Sequence, residues 1–497
     1  MNITDTIQNE VDGLLSGNSV YHELQDRWMY YLESYIGGEE YAQAGHLTRY
    51  VNESHAEYMA RCLTTPLENH CQSTVSVYNS FLFRTPPERE LGLIEGMTET
   101  REFLRDCDFE NRSMDQFMND LHTWISVYGH AWVMVTQANV NALTLADQRD
   151  QGVRPYLSML TPLTVLDWEY ARQPSGRYSL DYFKYLEDVN GSVKVIKEWT
   201  PVAIKTTTVD VEENGIIEEI LEDNQLGYIP AVIAYNQRSS LRGVGLSDIS
   251  DIADLQKFIY NSTSEVEQSI RLNTHPSLVK TADTNAGIGA GSIIHMDDSM
   301  DPALKPYLLE FNGASVESIY TAINHATNAI DKLANTGAVR ATESRTMSGV
   351  AMETEFQLLN SRLSNKANSL ELAEENIWRI VCDYLNREWT GEINYPGSFN
   401  IRDTASEINQ LKIAAEAAPN DLQIQKAVAR KIANWMDVEY VEEEEMQHPT
   451  LTADNKTPHI QEMIMQGYTD SEILQLHPEI NQADIDAAKA ALLTAGE

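Results

Sequence analysis

At 497 residues the chain has room for several hydrophobic cores, and its size suggests two to four domains. It carries 36 Lys and Arg against 75 Asp and Glu, a formal charge of −39, with no basic cluster, which excludes a protein that grips nucleic acid over a broad phosphate-neutralising face. No apolar run approaches the ~20 residues of a membrane span, the acidic N-terminus lacks the pattern of a secretory signal, and Cys62, Cys71, Cys107 and Cys382 form no close pair. These features predict a cytoplasmic protein with reduced thiols, no membrane contact and no cysteine zinc site.

Residues 1–90 are predicted to be helical. One helix carries Trp28, Tyr31 and Tyr35 and stops at Gly37-Gly38. A second begins near Asn52, with Tyr58, Met59, Cys62 and Leu63 on one face, and the helical block stops at Pro86-Pro87. From 91 to 150 helix is again expected. The run from Asp106 to Ser113 is a turn, and Ser113 caps a helix over Met114–Tyr128. A buried strand follows at 129–136. Residues 151–236 hold short alternating runs separated by turn residues, the pattern of one meandering antiparallel sheet.

Ser247 is expected to cap a helix reaching about Leu272, with Asp248, Asp251, Asp254, Glu265 and Glu267 on its polar side. Residues 273–312 read as a small module with strands near Ser277 and Ser292. A second helix spans 313–335, with Ile319, Ile323, Ala326, Ile330 and Leu333 inside. Asn335 to Ser348 is small and polar and reads as a loop. Between Gly349 and Gly391 no Gly or Pro occurs, and Met352, Phe356, Leu359, Leu363, Ala367, Leu370, Ala373, Ile377, Ile380 and Tyr384 recur at steps of three and four. That stripe predicts one helix of ~40 residues, about 60 Å long. A short strand near Glu392, a helical pair at 404–436 and a small helical unit in the tail complete the chain. Glu442 to Glu445 reads as a solvated charge run.

Catalytic signatures are missing. No glycine-rich phosphate loop ending in Lys and Ser or Thr occurs, and no zinc-protease or nucleophile-elbow motif. Gly287 to Ser292 precedes a strand-like Ile293-Ile294 and reads as a hairpin turn rather than a nucleotide site. The Asp106 turn lacks the glycine and terminal glutamate of a calcium loop. His122 and His130 read as core or interface residues. The pairs Asp106/Asp108 and Asp297/Asp298 reflect the abundance of acids more than catalytic carboxylates. The expectation is a non-enzyme without cofactor or metal.

The order of elements resembles that of the bacteriophage portal proteins, the rings at one capsid vertex through which DNA passes. The resemblance runs from about 25 to 400. It is carried by Trp28 to Leu47, Tyr58 to Pro87, Val127 to Val135, Arg154-Pro155-Tyr156, Val165 to Trp168, Ile229-Pro230, Gly243 to Ile249, Leu255 to Ser264, and Ser348-Gly349-Val350-Ala351. It implies an α+β, mainly helical, fold with a wing over 1–245 (helical 1–130, β-rich 131–236). Stem helices would span 246–272 and 313–335, with a clip at 273–312 between them. A tunnel loop would lie at 336–348, a long wing helix and short strands at 349–400, and a crown and tail at 401–497. It further implies a homo-oligomeric ring, usually of twelve subunits, that conducts double-stranded DNA during packaging and ejection. Major capsid and scaffold proteins, the terminase motor and tail adaptors would be its partners, and it would be assembled in the host cytoplasm and sit in the virion. Arg340 and Arg345, with Thr342 and Ser344 beside them, are the expected DNA contacts of the tunnel loop. The alternatives for the arginines are ordinary surface residues or a subunit-to-subunit salt bridge. The alternative for the whole chain is a connector or adaptor ring that binds protein only.

Overall fold

The computed structural model describes residues 13–138, 152–274, 277–280, 301, 307–309, 314–340 and 349–399, with scattered positions between 412 and 494. Residues 1–400 form one compact unit and 401–497 another.

Local sequence signals set the helix ends. Helix α1 (Ser19–Ile36) starts where the Asn18 side chain accepts from the Val20 amide, and stops at Gly37, whose φ is 69°. After the short α2 (Gly38–Gln43), α3 (His55–Thr64) opens on a reciprocal capping box between Ser54 and Glu57. Helices α4 (His70–Leu82) and α5 (Thr98–Arg105) precede α6 (Met114–Tyr128). Ser113 and Gln116 form the capping box that starts α6, and Gly129, at φ 93°, ends it. On α3 only the Cys62 side turns inward; Met59 and Leu63, expected on that face, are 41% and 76% exposed.

The β-rich region is two sheets rather than the single meander expected. Strand β2 (His130–Gln137) is buried at seven of its eight positions, so it takes the centre of a sheet. It pairs antiparallel with β3 (Pro155–Leu160) on one side and β9 (Ala231–Tyr235) on the other. Between those two in sequence, β4 (Val165–Arg172), β5 (Tyr178–Asn190), β6 (Val193–Trp199), β7 (Ala203–Asp210) and β8 (Gly215–Asp223) form the meander proper, each paired with the next. A two-stranded ribbon joins β1 (Glu88–Glu90) to the far-off β12 (Glu392–Asn394).

The long helix, called α10 here, spans Gly349–Tyr384, 36 residues, about 54 Å. Its expected stripe is the floor of one core: Leu359, Leu363, Ala367, Leu370, Ala373 and Ile377 are buried against α6 and the β2 sheet. Each buried leucine or isoleucine among them contributes about 1.5–3 kcal/mol of transfer free energy. A second core gathers Trp28, Trp132, Phe183, Ile252 and Ile330. In the 401–497 unit, α11 (Gln482–Thr494) supplies Ile485 and Ala488 to a small cluster with Ile460, Ile473 and Ile480. The expected strand at Ser292, the turn at Gly287, Asp297/Asp298 and the Glu442 run lie outside the described residues, as does most of the 404–436 helical pair.

Candidate functional site

Two helices and the start of the long one meet at the place that the loop residues were expected to define. Helix α7 (Ser250–Thr274) and helix α8 (Ala314–Ala334) pack on each other. Between them in sequence, β10 (Ser277–Val279) pairs antiparallel with β11 (Tyr307–Leu309). Ile252, Ile259 and Val266 of α7 and Ala326, Ile330 and Ala334 of α8 are buried, whereas Ile270 is 48% exposed and Leu333, expected inside, 45%. Gln256 ties α7 to two other helices: its oxygen accepts from the Cys71 amide at 2.9 Å and its nitrogen donates to the Ser34 carbonyl at 2.9 Å. Asp251, Asp254 and Glu265 stay exposed on the outer side, and Glu267 pairs with Arg271 at 2.6 Å.

Asp248 does not belong to that polar face. It lies just before α7, where Ser247 accepts from the Ile249 amide at 3.1 Å, and its side chain is 4% exposed. Lys366 Nζ of α10 sits 2.5 Å from one carboxylate oxygen and Arg362 Nη2 2.8 Å from the other. Lys366 also donates to Asn236 and, at 3.2 Å, to Ser126. Burial alone would raise the Asp248 carboxyl, but Lys366 and Arg362 outweigh it and hold it well below the ordinary carboxylate range. A polar cavity of about 610 Å³ opens beside this cluster, lined by Arg238, Asn365 and Asn368 among others. The charges of Asp248, Lys366 and Arg362 are matched with one another, so these three form a clamp that fixes α7 to α10 rather than a reactive centre.

Arg340 is also committed. The stretch expected as a loop contains a one-turn helix, α9 (Gly337–Arg340), begun after Asn335 takes a left-handed φ of 56°. Arg340 closes it and donates to Ser73 Oγ at 2.7 Å and Thr74 Oγ1 at 3.2 Å on α4, with Asp331 at 3.7 Å. Asp331 of the same chain is thus the ion-pair partner of Arg340. The helical turn forms because the Val339 and Arg340 amides both donate to the Thr336 carbonyl at 3.0 Å. Arg345, Thr342 and Ser344 lie outside the described residues. Arg340 therefore anchors the chain directly before the segment that holds them.

The remaining residues singled out from sequence have structural work. His130 Nδ1 accepts from the Gly245 amide at 3.2 Å, and its Nε2 sits 2.6 Å from the Tyr21 hydroxyl, which donates to the Gly243 carbonyl. Burial holds this imidazole down to about 3, so it is neutral. His122 is equally buried and pairs with Asn79. Asp106 accepts from Arg154 and the Asn111 amide, and Asp108 pairs with Arg112 at 2.8 Å, so both carboxylates hold the turn. The four cysteines are free and buried; burial pushes Cys107 up to about 12 and Cys382 up to about 11, which makes them inert. Among the described residues no cluster of His, Cys, Asp and Glu has the arrangement of a metal site, and no helix is long and apolar enough to cross a membrane.

Sequence reading missed Arg362, Lys366 and Glu374. The signal was present: all three fall on the inward side of the α10 stripe, three or four residues from Leu359, Leu363, Leu370 or Ile377. A charged residue there must be paired internally. Glu374 is fully buried and accepts from Arg89 at 2.5 Å and Tyr395 at 2.6 Å.

A family model described as phage portal protein, SPP1 Gp6-like, matches residues 69–448, more than three quarters of the chain. The chain belongs to this family of portal proteins. The portal subunit also resembles a chain of the neck of an empty gene transfer agent (GTA) particle computed with C6 symmetry. That likeness has 11% identity and a TM-score of 0.44, and covers 82% of the portal subunit and all of the other chain. A chain of the native GTA neck computed with C12 symmetry gives 11% and 0.44, covering 80% and 98%. One from the native GTA virion gives 11% and 0.43, covering 81% and 98%. No curated protein matches the portal subunit.

Proposed function

We propose that this portal protein forms a closed ring, usually of twelve copies, at one vertex of a virus capsid, and that double-stranded DNA passes through the ring during packaging and ejection. The observation that carries the reading is the succession of α7, the β10–β11 module, α8, the anchored turn α9 and the 36-residue α10 in a chain of the portal family. In this reading α7 and α8 are the stem and residues 273–312 are the clip that docks the terminase motor and later the tail adaptors. The wing and crown meet capsid and scaffold proteins. The protein is assembled in the host cytoplasm and ends in the virion.

The chain does no bond chemistry in this role; ATP hydrolysis belongs to the motor. Its contribution is mechanical and electrostatic. A net charge of −39 gives a wall from which DNA is repelled, so that no deep well of phosphate contacts halts sliding. Segment 341–348, anchored through Arg340, brings Arg345, Thr342 and Ser344 to the DNA, where one cation per subunit makes contacts that break easily.

Negative-stain imaging and native mass spectrometry of the purified chain, alone and with its scaffold protein, test the reading. Closed rings with a central hole are expected. A chain that stays monomeric under both conditions would overturn it.

A further inference from the structure

The five-stranded meander has two open edges of opposite character. Among the described residues its last strand, β8, pairs only with β7. The strand is open to solvent at nearly every position: Ile217 is 60% exposed, Ile220 44% and Leu221 73%. Glu218 and Glu222 stand on this strand and Glu213 in the turn before it, with no basic partner among the described residues, while Glu219 pairs with Lys205 of β7. An unpaired, aliphatic edge strand is a template for pairing with another chain, and native proteins blunt such edges with charged side chains, lysine above all, or with proline, bulges or a cover. Here the acids stand on the strand while its apolar side chains and backbone groups are left uncovered.

The other end of the sheet is basic. At the β4–β5 hairpin Arg172 and Arg177 are exposed, and Arg238 and Arg242 join them from the segment after β9. Arg242 lies over the Tyr178 ring at 3.6 Å and near Tyr170 at 5.4 Å, and Arg238 over Tyr235 at 4.8 Å. Among the described residues none of these four arginines has a carboxylate partner, although Glu169 and Asp181 lie on the same hairpin. In a chain with about twice as many acids as bases, four exposed arginines gather on one aromatic patch, two of them with the guanidinium over a tyrosine ring at 3.6 and 4.8 Å.

We infer that the acidic β8 edge of one copy docks on the arginine–tyrosine patch at the β4–β5 end of a second copy, head to tail. The two surfaces lie four strand spacings apart on one sheet, about 19 Å. They cannot satisfy each other within one chain, and β8 against β8 would oppose acid to acid. Two different, complementary surfaces on each copy give a heterologous contact, which closes into a ring when the rotation allows. The inference rests on the ring reading above and names where neighbouring subunits meet.

The test is a charge swap in the full chain. Glu213→Lys with Glu218→Lys is one variant, Arg172→Glu with Arg177→Glu the second, and all four substitutions together the third. Ring fraction is read by native mass spectrometry over a concentration series, and folding by thermal melting. Each double variant is expected to melt like the wild type and to need at least tenfold more protein for half-assembly; the quadruple variant is expected to recover most of that loss. Wild-type rings that the double variants leave unchanged, or a quadruple variant no better than the doubles, would overturn the edge contact while leaving the ring reading intact. Arginine variants that lose only the retention of a double-stranded DNA fragment, with rings unchanged, would assign the patch to nucleic acid and also overturn it. A wild-type chain that forms no ring would sink both readings together.

Discussion

Lys366 Nζ lies 2.5 Å from the Asp248 carboxylate, and each side chain is only 4% exposed. The pair joins the start of α7 to the middle of α10, 118 residues apart in sequence. It fixes the geometry of the helix junction, because two charges this deeply buried are each matched chiefly by the other.

Breaking one half of this pair strands the other. Asp248→Asn is expected to destabilise the chain by about 3–5 kcal/mol, since Lys366 and Arg362 keep their buried charge. The double variant Asp248→Asn/Lys366→Met is expected to recover part of the loss. Urea midpoints of the three proteins check both statements. The ionised Asp248 stabilises the fold above the ordinary carboxylate range, and that contribution is lost as pH falls through its depressed native value.

His130 adds a second acid sensitivity at milder pH. Its native value of about 3 lies below the unfolded value of 6.5, so its contribution is complete above 6.5 and declines as pH falls towards 3. At pH 5 the loss is about 2 kcal/mol. His130→Gln is expected to be less stable at pH 7 and to show a shallower decline between pH 7 and 5 in denaturant titrations.

Gly129 ends α6 at φ 93°, and a Cβ there would meet the Gly245 carbonyl oxygen at 2.5 Å. Gly129→Ala combines left-handed strain with a backbone clash. A cost of about 2 kcal/mol or more is expected, visible as a lower melting temperature.

The two loop arginines should separate by role. Arg340→Ala removes the donor to Ser73 and Thr74 and is expected to cost about 1–3 kcal/mol in stability. Arg345→Ala is expected to leave melting and ring assembly unchanged while lowering DNA packaging or retention. Packaging assays on particles carrying each variant check this; unchanged packaging with Arg345→Ala would remove the loop contact from the proposed function.

How much was legible in the sequence follows from how local each signal is. Ser113, Gln116 and Gly129 bound α6 with side chains and φ preferences that act within a few residues, so its ends were readable. The α10 stripe was readable because burial along one helix repeats at 3.6 residues whatever it packs against. The net charge of −39 follows from composition alone. Which strand pairs with which did not follow. β3 and β9 alternate like their meander neighbours, and only β2, buried at all but its last position and closed between the two cores, draws them into its own sheet. Asp248 and Arg340 looked like surface charges because their partners, Lys366 on α10 and Ser73 on α4, come from elements more than a hundred residues away. The sequence by itself determined helices, caps, the long strut and the charge, since these depend on neighbours along the chain. Only the tertiary structure decided which charges are buried and matched, because the cost of burying a charge depends on what the fold brings beside it.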